Sequence, residues 1–305
     1  MRISDKYEHE IDSGKLFTSR EKKLQSAMEY LMTYGWAILI IAVVLVALFQ
    51  MGVFNSANFA PKAQPGSCQV FRTTAATSLE GTCNNELPQY VAQFNGASSN
   101  INVGSGGSLT IGTGSATVSA WIMPNANADN NKRGIYSVSA GTGLIFAYKS
   151  NGGNNLYVEA YDGVNNPYGY SSVSLPVGVF SYVVITRAGG IFIFYINGVA
   201  GGTVSDTTGN LANGGPIIIG EAQGSSSNIF NGLIANVQIY NTSLSANDVA
   251  ALYYEGIGGA PQNTQNLVGW WPLNGNANDY SGNNNNGAAT NVIYTGSWAS
   301  AYSAP

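Results

Sequence analysis

Charge is scarce in this chain. Twelve Lys and Arg and sixteen Asp and Glu stand among 305 residues, 9% of the total, against about 25% in ordinary soluble domains. The acidic balance, with a pI near 4.9, excludes the basic surface that nucleic acids require. Histidine is nearly absent, and none follows His9. That removes Ser-His and Cys-His catalysis and the commonest metal ligand from the rest of the chain. Cysteine occurs only at Cys68 and Cys83, too few for a zinc site. Outside the cytoplasm such a pair forms a disulfide closing a short loop, a contribution of about 3 kcal/mol; two separately buried thiols are the alternative. Between Glu29 and Lys62 there is no charge at all.

What fills that gap is apolar. From Leu31 to Phe49 only Thr33 and the Tyr34 hydroxyl interrupt the run. As a helix it spans roughly 28 Å, close to the hydrocarbon thickness of a bilayer. It has no polar face, so Gln25–Phe54 reads as a membrane segment rather than a core helix. Lys22 and Lys23 precede it and no Lys or Arg follows before Lys62. This asymmetry keeps the N-terminus cytoplasmic and carries the remainder across the membrane. The run exceeds the apolar core of about 7–15 residues of a cleaved secretory signal, which leaves a permanent signal anchor or a different kind of leader.

KKLQSAMEYLMTYGWAILIIAVV (22–44) resembles the leader junction of archaeal class III signal peptides, which belong to type IV pilin-like subunits. The resemblance implies a prepilin-type peptidase cutting on the cytoplasmic side, between Leu24 and Gln25, with Lys22 and Lys23 just ahead of the cut. Leu24 stands where the family usually has Gly. Residues 1–24 would be the leader and residues 25–54 the pilin-like helix. A carboxylate at the lip of an apolar helix is costly unless paired. In the family the acid corresponding to Glu29 neutralises the N-terminal amine of a neighbouring subunit, here that of Gln25. The partners implied are the membrane, the peptidase and identical subunits packed helix to helix in a filament.

Residues 55–87 read as a neck holding the cysteine loop. Beyond it the periodicity becomes that of strands at about ten-residue spacing, separated by turns drawn from 38 Gly and 34 Asn. The runs are 91–95, 101–103, 117–123, 134–139, 144–149, 156–161, 182–187, 191–196, 216–220 and 233–240. Ala188-Gly189-Gly190 reads as a hairpin turn and Asn197-Gly198 ends the following strand. One helix is expected, over Ser245–Glu255, with Ser245 as N-cap, Asp248 in the first turn and Gly256 as the stop. Many short strands with regular turns point to an all-β sandwich or jelly roll.

YVAQFNGASSNINV, TVSAWIMP, FIFYINGVAGGT and FNGLIANVQIYNTSLSANDVAALYYEG together resemble the laminin-G-like, concanavalin A-like lectin/glucanase sandwich, over residues 88–258. LVGWWPLNGNANDYSGNNNNGAATNV (267–292) is similar to that family's first strand and loop but comes last. The resemblance therefore implies a circular permutation, with residues 259–305 returning beside residues 91–95, or a strand donated to a neighbouring subunit. Trp121 falls at a core strand position, and the adjacent Trp270 and Trp271 must face opposite sides.

Such sandwiches bind sugars through exposed aromatics, and Tyr157, Tyr161, Tyr168 and Tyr170 form the candidate platform; cross-strand packing is the alternative for Tyr157 and Tyr161. They also hold calcium through loop oxygens, here Asn274, Asn276, Asn278 and Asp279, residues that equally suit Asx turns. A glycoside hydrolase needs two carboxylates about 5–9 Å apart. Glu159 and Asp162 are the nearest pair, but three positions apart on a strand they face opposite sides, and Glu159 is expected to point to solvent. Asn241-Thr242-Ser243 is an N-glycosylation sequon. The reading that results is a non-enzymatic, cell-surface filament subunit displaying a lectin-like sandwich for adhesion or glycan recognition. A non-assembled membrane-anchored glycan-binding protein and a secreted glycoside hydrolase are its rivals.

Overall fold

The structure, a computed structural model, describes residues 32, 34–50, 62–63 and 87–305 except 106, 140 and 213. The leader, Gln25, Glu29, Cys68 and Cys83 lie outside the described residues. The chain divides into two units, Met1–Phe54 and Asn55–Pro305.

In the first unit, residues 34–50 form helix α1, whose side chains are exposed except for half-buried Leu48. Among the described residues no helix is long and apolar enough to cross a membrane. The membrane-crossing helix expected over 25–54 is thus not shown, and both of its ends lie outside the described residues.

The second unit is an all-β sandwich of two antiparallel sheets. A short parallel pair, β1 (Lys62–Ala63) and β2 (Leu87–Pro88), stands apart from them. The strands that follow are β3 (Val91–Asn95), β4 (Asn100–Gly104), β5 (Ala116–Pro124), β6 (Arg133–Val138), β7 (Gly143–Ser150), β8 (Asn154–Tyr161), β9 (Tyr168–Ser174), β10 (Ser181–Ala188), β11 (Ile191–Ile196), β12 (Val199–Ser205), β13 (Ile217–Ile219), β14 (Asn231–Tyr240), β15 (Leu267–Trp271), β16 (Ala288–Thr290) and β17 (Ile293–Thr295). One sheet runs β12-β11-β10-β5-β14-β3-β17, with β15 also on β14; the other runs β16-β4-β13-β6-β7-β8-β9.

Sequence and structure agree on every expected strand to within two residues at the ends. Among the strands missed are β9 and β12, whose YGYSSVS and VAGGTVS carry too few β-branched or aromatic residues to mark a strand. Both are edge strands, and they close one side of the sandwich against each other: the Ser172 hydroxyl donates to Gly201 O at 2.9 Å. At the opposite side one segment supplies β16 to one sheet and β17 to the other. β17 pairs with β3, Ile293 opposite Gln93. Leu267–Trp271 pairs with β14, which gives the first half of one edge to β3 and the second half to β15. The changeover falls at a bulge where Asn236 takes a left-handed φ of 49°. Its side chain donates to Gly259 O at 2.9 Å and accepts from Trp270 Nε1 at 2.7 Å, so the bulge is pinned.

The main core lies between the sheets and includes Phe94, Ile122, Phe146, Val158, Phe194, Ile234 and Trp271. A second core covers the outer face of the β5-containing sheet: Trp121, Tyr182, Tyr240, Trp270, Trp298 and Tyr302 pack beneath helix α2 (Ala246–Tyr254) and the C-terminal coil. Trp270 and Trp271 do face opposite sides, and both are buried. Helix α2 opens as expected, with Ser245 Oγ accepting from Asp248 N and the Asp248 carboxylate accepting from Ser245 N. It stops at Gly256, φ +78°. At one end of the sandwich the buried pair Arg187–Asp206 (2.6 Å) ties two loops to β10, because the guanidinium also donates to the carbonyls of Gly112, Gly114, Thr208 and Gly209.

Candidate functional site

Strand alternation sets the outer face of the β6–β9 half-sheet. In β7 and β8, Leu144, Phe146, Tyr148, Leu156, Val158 and Ala160 enter the core. Ile145, Ala147, Lys149, Tyr157, Glu159 and Tyr161 therefore face outward. Register then places Ile145 opposite Glu159 and Ala147 opposite Tyr157, and β9 sets Tyr168 opposite Glu159 and Tyr170 opposite Tyr157. The four tyrosines singled out in the sequence thus share one face. Above β6 the Glu221–Gln223 loop crosses so closely that a Cβ on Gly134 would lie 2.2 Å from the Glu221 carbonyl carbon. Only glycine permits this crossing, which brings Ala222 down onto Ile145, Ala147 and Tyr157.

Between this loop and the β8–β9 turn opens a cleft of about 280 Å³, with Ile145 and Glu159 at its base and Tyr161, Asn166 and Gln223 around it. Tyr168 (61% exposed) and Tyr161 (40%) present ring surface to solvent, whereas Tyr157 is buried (3%). Tyr157 lies 5.0 Å from Tyr170 and 6.1 Å from Tyr168, centroid to centroid, and supports both rings. Cross-strand packing thus accounts for Tyr157 but not for Tyr161 or Tyr168.

Glu159 does not point freely into solvent, as its strand position led one to expect; it is 7% exposed. Lys132, from the turn before β6, reaches Glu159 Oε2 at 2.5 Å, the Tyr157 hydroxyl donates to the same oxygen at 2.6 Å, and Asn166 Nδ2 donates to Oε1 at 3.3 Å. Burial opposes ionisation of this carboxyl. Lys132, Tyr157 and Asn166 together outweigh it and hold the pKa below the ordinary carboxylate value. Burial first, and then the bond to Glu159, push the Tyr157 hydroxyl far above its usual range. Glu159 is a fixed anion at neutral pH with Oε1 turned toward the cleft.

Asp162 serves a different end. Its carboxylate accepts from the backbone N–H of Val164 (2.9 Å), Asn165 (2.6 Å) and Gly209 (2.8 Å), and these bonds hold its pKa well below the usual range. It ties the β8–β9 turn to another loop.

The residues proposed for calcium are engaged in their own turns. Asp279 is buried and accepts from the N–H groups of Trp270 (3.0 Å), Ser281 (2.8 Å) and Asn285 (2.9 Å). Asn274 Oδ1 accepts from Tyr90 N and Asn276 Oδ1 from Asn278 N. Among the described residues no group of three or more His, Cys, Asp or Glu is placed to hold a metal. Asn241 is exposed in the bend after β14, its N–H donating to Asn266 O at 2.9 Å.

Lys132, Lys149 and Gln223 were not legible as site residues. Parity alone marks Lys149 as outward on β7. The other two arrive from turns, and the contact of Lys132 with Glu159 and the place of Gln223 in the cleft wall depend on how those turns fold over the sheet.

Two antiparallel sheets packed face to face make this unit a jelly-roll sandwich of the concanavalin A-like kind. Residues 95–250 match the family described as the concanavalin A-like lectin/glucanases superfamily, and the chain belongs to it. Among solved structures it is similar to a Bacteroides ovatus protein described as carbohydrate binding, at 17% identity and TM-score 0.53, over 73% of this chain and 66% of that one. A heptameric SAP-like pentraxin from Limulus polyphemus is also similar, at 17% identity and TM-score 0.48, over 67% of this chain and 94% of that one. The first of these likenesses shows the shared fold. No curated protein matches the chain.

Proposed function

We propose that the sandwich recognises carbohydrate on the outer face of its seven-stranded sheet, in the cleft at Glu159 and across Tyr161 and Tyr168. The observation that carries this reading is the nearly buried Glu159, paired to Lys132, in a cleft lined by the exposed Tyr161, with the exposed Tyr168 opposite Glu159 on β9. Sugar hydroxyls donate well to a fixed carboxylate, and the apolar face of a pyranose packs on an aromatic ring. Family membership and the carbohydrate-binding description of the Bacteroides ovatus protein support the same ligand class. Binding is favoured over hydrolysis. A glycosidase's acid must carry a proton at working pH, whereas Glu159 is held ionised and Asp162 is committed to backbone amides.

The same proposal places the sandwich at the cell surface. The apolar side chains of α1 are exposed, Trp36 at 66% and Phe49 at 75%. Such a surface requires lipid or other copies of itself around it. With the pilin-like junction at residues 22–44, the reading is a membrane-inserted subunit, its N-terminus cytoplasmic before cleavage at Leu24–Gln25, that assembles through its helix. The order of strands, with residues 267–292 last, is read as a circular permutation of the family pattern.

The test is isothermal titration of the full chain, in detergent micelles, against a panel of neutral and acidic oligosaccharides. Millimolar or tighter binding to a panel member, lost in Glu159→Ala and in Tyr168→Ala, is expected. No binding to any of them overturns the proposal. N-terminal sequencing of the protein from surface fractions tests the filament reading, which requires a chain starting at Gln25.

A further inference from the structure

Residues 87–305 contain four basic side chains, Lys132, Arg133, Lys149 and Arg187. Three have a carboxylate partner: Lys132 meets Glu159, Arg133 meets Asp129 and Arg187 meets Asp206, all within 2.6 Å. Among the described residues Lys149 has none. Its ammonium lies 4.7 Å from the centroid of the Tyr157 ring, on the same outer face as the cleft. In a chain so poor in charge and acidic overall, the one cation of residues 87–305 left without a countercharge among the described residues stands beside the tyrosine platform.

The surroundings sharpen this. Glu159 is the only carboxylate on the β7–β9 strip of that face, and Lys132 already neutralises it at 2.5 Å. The local balance from Glu159, Lys132 and Lys149 is one net positive charge. Strand register fixes the spacing: Glu159 pairs with Ile145 and Asn155 with Lys149, four residues apart along β8. At about 3.3 Å per residue these rows are roughly 13 Å apart. The Lys149 ammonium covers part of that interval, since it lies over the ring of Tyr157, whose hydroxyl donates to Glu159 Oε2 at 2.6 Å; on the neighbouring strand Tyr170 is level with Tyr157 and Tyr168 with Glu159 itself.

From this charge complementarity we infer that the platform takes an acidic oligosaccharide, one whose carboxylate or sulfate lies against Lys149 while a neutral residue occupies the cleft at Glu159. This inference rests on the carbohydrate-binding reading above and deepens it. The ring of Tyr157 positions Lys149 by cation–π attraction, so the ammonium is held over the platform rather than swinging in solvent. A neutral sugar leaves that cation with no anion to meet; an acidic one completes the pairing seen at every other basic residue of the sandwich.

The probes are a galacturonic acid trisaccharide and its carboxyl-reduced counterpart, titrated into the full chain in detergent micelles at low and high salt. The acidic probe is expected to bind about five- to tenfold more tightly, the size of one charge-assisted contact at a partly exposed site. The preference should shrink in high salt and vanish in Lys149→Met. Lys149→Arg, which keeps the charge, should retain it. Equal binding of both probes, or a preference that survives Lys149→Met, overturns the acidic-ligand inference and leaves the carbohydrate reading standing. If neither probe binds and the neutral and acidic panel also fails, both fall together.

Discussion

Replacing Lys132 by Met should reverse the sign of the pH dependence that Glu159 gives to stability. In the native protein the folded-state pKa of Glu159 is depressed. Its contribution is therefore present above the unfolded carboxylate value and is lost as pH falls through the lower, folded one. Removing the ammonium at 2.5 Å leaves a side chain only 10% exposed, with the Tyr157 hydroxyl and Asn166 as its remaining donors. Burial, already the largest single influence on this group, then dominates, and the folded pKa rises above the unfolded one. Stability should accordingly be lost as pH rises through that new value. Stripping one partner from a buried pair costs about 3 kcal/mol at neutral pH. For a domain of this size that lowers Tm by about 6–12 °C. Thermal unfolding by circular dichroism at pH 5 and pH 8 reads it directly: the variant should be closer to wild type at pH 5. Adding Glu159→Gln to Lys132→Met should recover about 2 kcal/mol, because the uncompensated charge is gone. Equal destabilisation at both pH values, or a double variant no more stable than Lys132→Met alone, would refute the network as described.

Three further outcomes are expected. Asp206→Asn deprives the buried Arg187 of its countercharge and should cost about 3 kcal/mol in urea unfolding; an unmoved midpoint would show that the carbonyl contacts alone hold the two loops. Ser245→Ala removes the cap at Asp248 N and should cost about 1 kcal/mol, with faster hydrogen exchange confined to α2; unaltered exchange there would refute the capping role. Gly220→Ala should cost about 2–3 kcal/mol, because its Cβ would fall 2.0 Å from Phe94 Cε1 at φ +87°. Gly178→Ala, at φ +73° with nothing within 4 Å, should cost only the backbone strain, about 1 kcal/mol, so two equal losses would deny the Phe94 contact.

The strands were readable wherever burial on one face imposed alternation, as in LIFAYK and LYVEAY. They were unreadable in VAGGTVS and YGYSSVS, where an edge position relaxes the demand for branched side chains and closeness to the other sheet favours small ones. Helix α2 was legible down to its cap because Ser245 and Asp248 act locally. The tyrosines were found as a cluster since they lie on two sequence-adjacent strands. Which ring meets solvent was decided by register, a long-range property that placed Tyr157 under its neighbours. Glu159 was misjudged for the same reason: parity gave its face, but its burial comes from Lys132 and the Glu221–Gln223 loop, far off in sequence. Asp279 drew attention as the only formal charge in an Asn-rich loop, yet its oxygens serve backbone amides that sequence alone does not locate.

The segment that carries β16 and β17 has a kinetic meaning as well. Gln93 finds its outer neighbour only in Ile293, and Asn102 only in Ala288. A polypeptide emerging in the order of its synthesis therefore keeps one flank of both layers unpaired until nearly the whole of it has arrived. Contacts this distant in sequence make closure slow. Until then its unpaired flanks are open to a neighbour's strands as readily as to its own.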